Sequence, residues 1–195
     1  MTSPTVTPAT AAAHVTPARR GLSLELRAAL AGAVLLAVVG VTVGYAAFVP
    51  ESMAGDPVFA LDGRSAPAIF VQILGRNAGA AGLLASGYVT FGLSSVAAIL
   101  LTSTWIGATV HALAAGPTVA LSAPTVLYIV AEFVGLLLAA TAGLLAPAAH
   151  VLAAASSGNR PRRDITGSFL RLLLAAAACI VGAAAVETAV ILSRL

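Results

Sequence analysis

Lysine is absent from this 195-residue chain, and cysteine occurs once. Aromatic residues make up 5% and charged residues only 9%. A soluble domain carries about 25% charged residues, so the composition excludes an ordinary water-soluble fold. The one cysteine, Cys179, lies inside an apolar run, so no disulfide can form within the chain. Its thiol reads as a small core hydrophobe. No cysteine and histidine grouping has metal-ligand spacing, and neither a metal nor any other cofactor is expected. The ten basic residues, all Arg, leave a net charge of +3, too small and too dispersed for a nucleic-acid surface. No nucleophile elbow, phosphate loop, dinucleotide fingerprint or zinc-protease motif occurs. An enzyme acting alone is not expected.

What is present is apolar: 59% of the residues are hydrophobic and the mean hydropathy is +1.02. Long runs of Ala, Leu and Val read as transmembrane helices. The expected fold is all-α, an integral membrane bundle of about five transmembrane helices with a short interfacial helix. Residues 1–18, rich in Thr, Pro and Ala, read as a disordered tail, and 19–195 as one transmembrane helical domain. The first span is expected over about 26–49. That is too long for the 7–15 apolar residues of a signal peptide, although SMAG at 52–55 would pass as a cleavage site. Residues 50–66, with Glu51, Asp56, Asp62 and Arg64, read as an aqueous loop. Pro67 opens a stretch of about ten residues, too short to span, which is placed at the interface.

From Asn77 to Ala115 there are 39 residues with no formal charge except on His111. One helix of that length would reach about 58 Å, far beyond a hydrocarbon core of about 30 Å. Two spans, about 77–92 and 94–115, fit better, with Gly92 permitting the turn and Ser94 capping the next helix. The fourth span is expected over about 124–146, ending before Pro147, and the fifth over about 165–192. The arginines support this count. Arg19, Arg20 and Arg27 place the N-terminus inside, and five spans then put Arg160, Arg162 and Arg163 inside as well. Arg171 is expected to snorkel to the cytoplasmic headgroups. The C-terminus, with Arg194 at the interface, falls outside. Ala and Arg richness without Lys suggests a high-GC bacterial genome, hence a bacterial plasma membrane.

Ionisable residues inside a membrane usually face a bundle interior or water. His111, Glu132 and Glu187 fall at similar depth near the outer side, and Asn77 and Tyr128 join them as a candidate polar cluster. Tyr128 precedes Glu132 by one turn on the same face. Interfacial wetting is the plainer reading of His111 and Glu187. Glu132, the deepest, is expected to be hydrogen-bonded within the bundle, with His111 as a candidate partner. Gly40 and Gly44 form a GxxxG pair, read as close packing within the chain or as a dimer seam.

Residues 70–144 resemble the stage II sporulation protein M family of membrane proteins. Three segments carry the resemblance: FVQILGRNAGAAGLLASGYVTFG, ILLTSTWIGATV and YIVAEFVGLLLAATAGL. Asn77 falls on the family Asn, Gly107 on the second Gly of its Asn-Gly…Gly segment, Glu132 on the family Glu, and Gly143 near the end of the third segment. Thr102 and Ser103 stand where the family has Asn-Gly, and Tyr128 and Ile129 where it has His-Gly. The resemblance implies a non-catalytic membrane scaffold that docks a partner. The partner would be another membrane or membrane-associated protein in a hetero-complex, or a second copy, with membrane lipid around it. In sporulating bacteria the family serves a peptidoglycan-degrading machine. The alternative is the membrane subunit of a peptide-modifying enzyme complex in natural-product biosynthesis, as in a ribosomal-peptide tailoring or epimerising heteromer. A transporter or permease component comes third, because five spans lack an inverted repeat.

The topology is open to cysteine labelling in a Cys179→Ala background. Single cysteines at Asp62 and Thr118 are expected to react with an impermeant maleimide applied to intact cells, and one at Asn159 only after permeabilisation. Labelling of Asn159 from outside would refute the five-span arrangement.

Overall fold

A computed structural model of the chain describes residues 23–47, 65–115, 122–156 and 164–193. The expected tail 1–18, the acidic loop up to Arg64, the arginines at 19, 20, 160, 162, 163 and 194, and the labelling positions Asp62, Thr118 and Asn159 lie outside the described residues. Five helices follow in order: α1 Leu24–Ala47, α2 Ala66–Ala85, α3 Leu93–Ala115, α4 Ala123–Ala155 and α5 Ile165–Leu192. All five are long and apolar enough to cross a membrane, as the hydropathy requires, and no strand occurs among the described residues. In hydrocarbon a helix is the natural state of such a run, because it satisfies every interior backbone group within its own segment. Polar side chains close several ends. Ser23 Oγ accepts from the Leu26 N–H at 3.2 Å, Ser122 Oγ from the Thr125 N–H at 3.4 Å, and Asp164 from the Gly167 N–H at 2.8 Å.

Two boundaries differ from the sequence expectation. The stretch from Pro67, assigned to a separate interfacial helix, and the span assigned to begin at Asn77 are one continuous helix, α2. Pro67 lies in its first turn, where a missing N–H breaks no helical bond. No second proline follows it within the helix, and Ile69 and Ile73 are buried in a cluster with Ala184 of α5. The helix therefore starts early and also ends early, tightening into a 3-10 turn at Ser86–Tyr88. The reversal occupies Val89–Gly92, with Phe91 and Gly92 both at positive φ, 52° and 86°. Ser94 is not the cap. Its own N–H is taken by Thr90 Oγ1 at 3.3 Å, and its hydroxyl pairs with Ser86 Oγ at 2.8 Å.

The second difference is α4, which passes through Pro147 and continues to Ala155. Proline inside a membrane helix is tolerated where neighbours fill the disturbed turn. Here the α2–α3 reversal does so. A Cβ on Gly92 would lie 3.1 Å from Pro147 Cγ, and the rings of Phe91 and His150 meet with centroids 5.0 Å apart.

Helix α4 is the hub, packing against the other four. Its buried set is mostly small: Gly135, Ala139, Ala140, Thr141, Ala142 and Gly143, with Leu136 and Leu145. Helices α1 and α3 lie on one side of it and α2 and α5 on the other; α1 touches neither α2 nor α5, and α3 does not touch α5, among the described residues. The α1–α3 seam is a backbone contact. A Cβ on Gly40 would lie 2.9 Å from the Leu100 carbonyl oxygen. One on Gly44 would overlap the Thr104 carbonyl, and one on Gly107 the Val41 carbonyl. Gly40 and Gly44 thus serve packing inside the chain. Gly143 plays the same part between α4, Leu84 and Ser95, and the Ser95 hydroxyl donates to the Leu84 carbonyl.

Gly44→Leu and Gly107→Leu are expected to lower stability in detergent by about 3 kcal/mol or more, since the clash is with backbone rather than a movable side chain. Gly182→Leu adds its side chain to open space and is expected to stay within about 0.5 kcal/mol of wild type. Thermal unfolding followed by circular dichroism checks both.

Candidate functional site

The expected five-residue polar cluster is divided between two places. His111 belongs to the α1–α3 seam. Its Nδ1 lies 2.5 Å from the Tyr45 carbonyl oxygen, and its ring is tilted against that of Tyr45 with centroids 4.8 Å apart. The backbones of α3 and α5 do not approach closely, and the contacts of His111 are with Tyr45 rather than Glu187. The histidine is a local clamp at the end of α1. It holds a carbonyl from the last turn of that helix, one of the group left without intrahelical donors.

Glu132 and Glu187 are brought together. Both are half-buried, on α4 and α5, and the charge of Glu132 acts on Glu187. A third charge joins them, that of Arg76 on α2, which acts on both carboxyl groups. Packing explains the register. Gly135, one turn beyond Glu132, lies against Ala176, Cys179 and Ile180, so α4 and α5 run antiparallel and their acids converge. Gly143 lies against Leu84 while the charge of Arg76 acts on Glu132, so α2 and α4 run parallel. Arg76 lies ten residues from the start of α2, or about 15 Å along it. Asn77 is half-buried beside it, and Tyr128 is half-buried one turn before Glu132.

Arg76 is the residue that sequence reasoning missed. A separate interfacial helix would have left it in the headgroups, where an arginine needs no partner. Once α2 is continuous, Arg76 belongs to the middle of a span, where charge is costly unless paired. The available signal was the absence of any further proline between Pro67 and Gly87. Arg76 is exposed on the outer side of the bundle, and three glycines flank it. Gly75, Gly79 and Gly82 lie at helical spacing, and a Cβ on any of them would meet nothing within 4 Å. Two buried threonines are turned back on their own helices. Thr141 Oγ1 donates to the Leu137 carbonyl at 2.8 Å, and Thr188 Oγ1 to the Ala184 carbonyl at 2.7 Å.

The arrangement supplies two acids and one fixed cation at the junction of three helices. It offers no nucleophile and base pair. Compared with protein-family models, with curated proteins and with solved structures, the chain matches none.

A double-mutant cycle tests the ion cluster. Arg76→Met leaves two carboxylates without their cation and is expected to destabilise the bundle, whereas Glu132→Gln keeps shape and hydrogen bonding and is expected to be mild. Combining them should recover on the order of 1 kcal/mol of the Arg76→Met loss, a modest coupling because Arg76 is exposed on one side. Strict additivity in thermal unfolding would show that the two residues do not interact.

Proposed function

We propose that this chain is a non-catalytic, multi-pass membrane subunit whose α2 face docks a transmembrane helix of another protein. The observation that carries the reading is the outward face of α2. It combines an exposed arginine in mid-span with three glycines whose Cβ positions are open, on the least apolar of the five spans. Lipid covers such a face poorly. A charge at the centre of a span costs about 2.5–3.5 kcal/mol on insertion scales, and glycine backbones laid against acyl chains leave their carbonyls without close contact. A second helix with small residues at matching spacing answers both needs, since small-xxx-small surfaces let backbones approach. The charge of Arg76 acts on Glu132 and Glu187, which are half-buried on α4 and α5. The likeness of residues 70–144 to stage II sporulation protein M, a partner-docking scaffold, points the same way.

The topology that goes with this reading has the N-terminus in the cytoplasm and the C-terminus outside, in a bacterial plasma membrane. The arginines of the sequence support it through the positive-inside rule. The junction of Arg76, Glu132 and Glu187 then falls in the outer half of the bilayer.

Site-specific photo-cross-linking in native membranes tests the proposal. A photoreactive residue at Val71 or Leu83, both exposed on α2, is expected to give one discrete heavier adduct. The same probe at Val39, exposed on α1, should not. Gly79→Leu fits the open space within the chain and should abolish the adduct while leaving thermal stability unchanged. No adduct specific to α2, or one that survives Gly79→Leu, would overturn the reading. An adduct of two copies of this chain would replace the hetero-complex by a dimer.

A further inference from the structure

A second surface of the molecule, remote from α2, has the polarity of an amphiphile. Between α1 and α4 runs a groove of about 240 Å³, walled by Val34, Val38 and Val41 and floored by Phe133 and Leu137. It continues along α1 as a shallower trough of about 450 Å³. The two share Val34 and Val38, so they form one channel open to the side.

The two ends of the channel differ. One end is Arg27, exposed in the second turn of α1. The cation stands where a helix N-terminus already favours negative charge. Glu25, two residues earlier, is on a different face, because residues two apart on a helix do not face each other. The other end is apolar. Its one polar side chain, Thr42, donates its hydroxyl back to the Val38 carbonyl at 2.8 Å, so it offers no donor to a ligand. From Arg27 to Val41 is fourteen residues, or about 21 Å of helix. One leaflet of the hydrocarbon core is about half of 30 Å, so an acyl chain starting from a headgroup at Arg27 ends inside the groove.

We infer that the α1–α4 groove binds one anionic phospholipid, its phosphate held by Arg27 and one acyl chain lying along Val34 and Val38 into the mouth of the groove. Charge chooses the headgroup and shape holds the tail. The site is independent of the α2 docking face. The groove opens on the α1 side of α4, whereas Leu84 of α2 meets Phe133 and Leu137 from the other side, and the exposed α2 positions Val71, Gly75 and Gly79 are not among its lining residues.

The test uses the full-length protein in a mild detergent, titrated with phosphatidylglycerol and with phosphatidylcholine of the same acyl chains. One-to-one complexes are counted by native mass spectrometry. Phosphatidylglycerol is expected to bind about fivefold more tightly than phosphatidylcholine, the effect of one arginine at an anionic headgroup. Arg27→Gln should remove that preference. Val38→Trp fills the groove from an exposed position, and should weaken both lipids by about fivefold or more while keeping their ratio, as loss of tail burial predicts. Glycerol 1-phosphate, a headgroup without a tail, should not compete. Equal binding of the two lipids to wild type, a preference that survives Arg27→Gln, unchanged binding to Val38→Trp, or displacement by glycerol 1-phosphate would each overturn the assignment. Circular dichroism of both variants shows that the helices are intact.

Discussion

Helices in hydrocarbon gain nothing from hiding apolar surface, because lipid tails are as apolar as leucine. They associate only where their surfaces fit closely enough for dispersion and weak polar contacts to accumulate. The closest backbone approaches among the described residues answer that constraint with small residues. The buried face of α1 is Ala29, Ala33, Ala37, Gly40 and Gly44, and its partner on α3 is Gly107 beside Ser103. The hub helix α4 buries Ala139, Ala140 and Ala142, fully closed from outside. The low aromatic content has the same origin. Large rings would hold the backbones apart at these places, and those present are found chiefly where helices end or diverge, as with Tyr45, Phe91 and Tyr88. Tyr88 packs on Phe169 with ring centroids 4.3 Å apart.

The same constraint makes the α2–α3 reversal a structural lock. Ser95 is fully buried and donates to the Leu84 carbonyl, while Gly87 and Gly143 bring three backbones to within side-chain distance of that hydroxyl. A carbonyl near the end of α2 thus receives a donor in a region without water, where leaving it unmade would cost several kcal/mol. The reversal in turn supports Pro147 through Gly92. This is why α4 continues past a residue that would otherwise end it, and why it is long enough to reach all four neighbours.

Much of this was legible in the sequence. Five apolar runs gave five helices. The third and fifth begin within a residue of where the pattern put them, and Glu132 stood out as a lone acid in an apolar run. What was not legible follows from the difference between depth and direction. Counting residues from a span's end estimates how deep His111, Glu132 and Glu187 lie, and their depths are similar. It says nothing of which helices are neighbours. Only the packing of Gly107 on Val41 and Tyr45 turns His111 toward α1, and only the packing of Gly135 on Cys179 and Ile180 aligns Glu132 with Glu187. Arg76 was hidden by a boundary error. A proline and an arginine within ten residues read as interfacial, and the apolar cover that Ala184 gives Ile69 and Ile73 cannot be seen from α2 alone.

The placement of charge now has a physical reason. A seam in which glycine meets carbonyl leaves no room for a carboxylate or a guanidinium, so α1 and α3 can hold only a histidine at their open end. Helices α2 and α5 pack through longer side chains, Ile69, Ile73 and Phe70 meeting Ala184. The charges of two acids and one arginine act on one another where α2, α4 and α5 meet, and the arginine, which comes from α2, is exposed. Charge that could have been enclosed is thus shown on one helix alone, next to glycines with nothing against them. Stability of the single chain does not require Gly75, Gly79 and Gly82 to lack side chains, since alanine would fit each position and strengthen an exposed helix by about 0.8–1 kcal/mol. On the proposed reading, a face that gives up helix propensity three times beside an exposed charge is one that a second helix, rather than lipid, would cover.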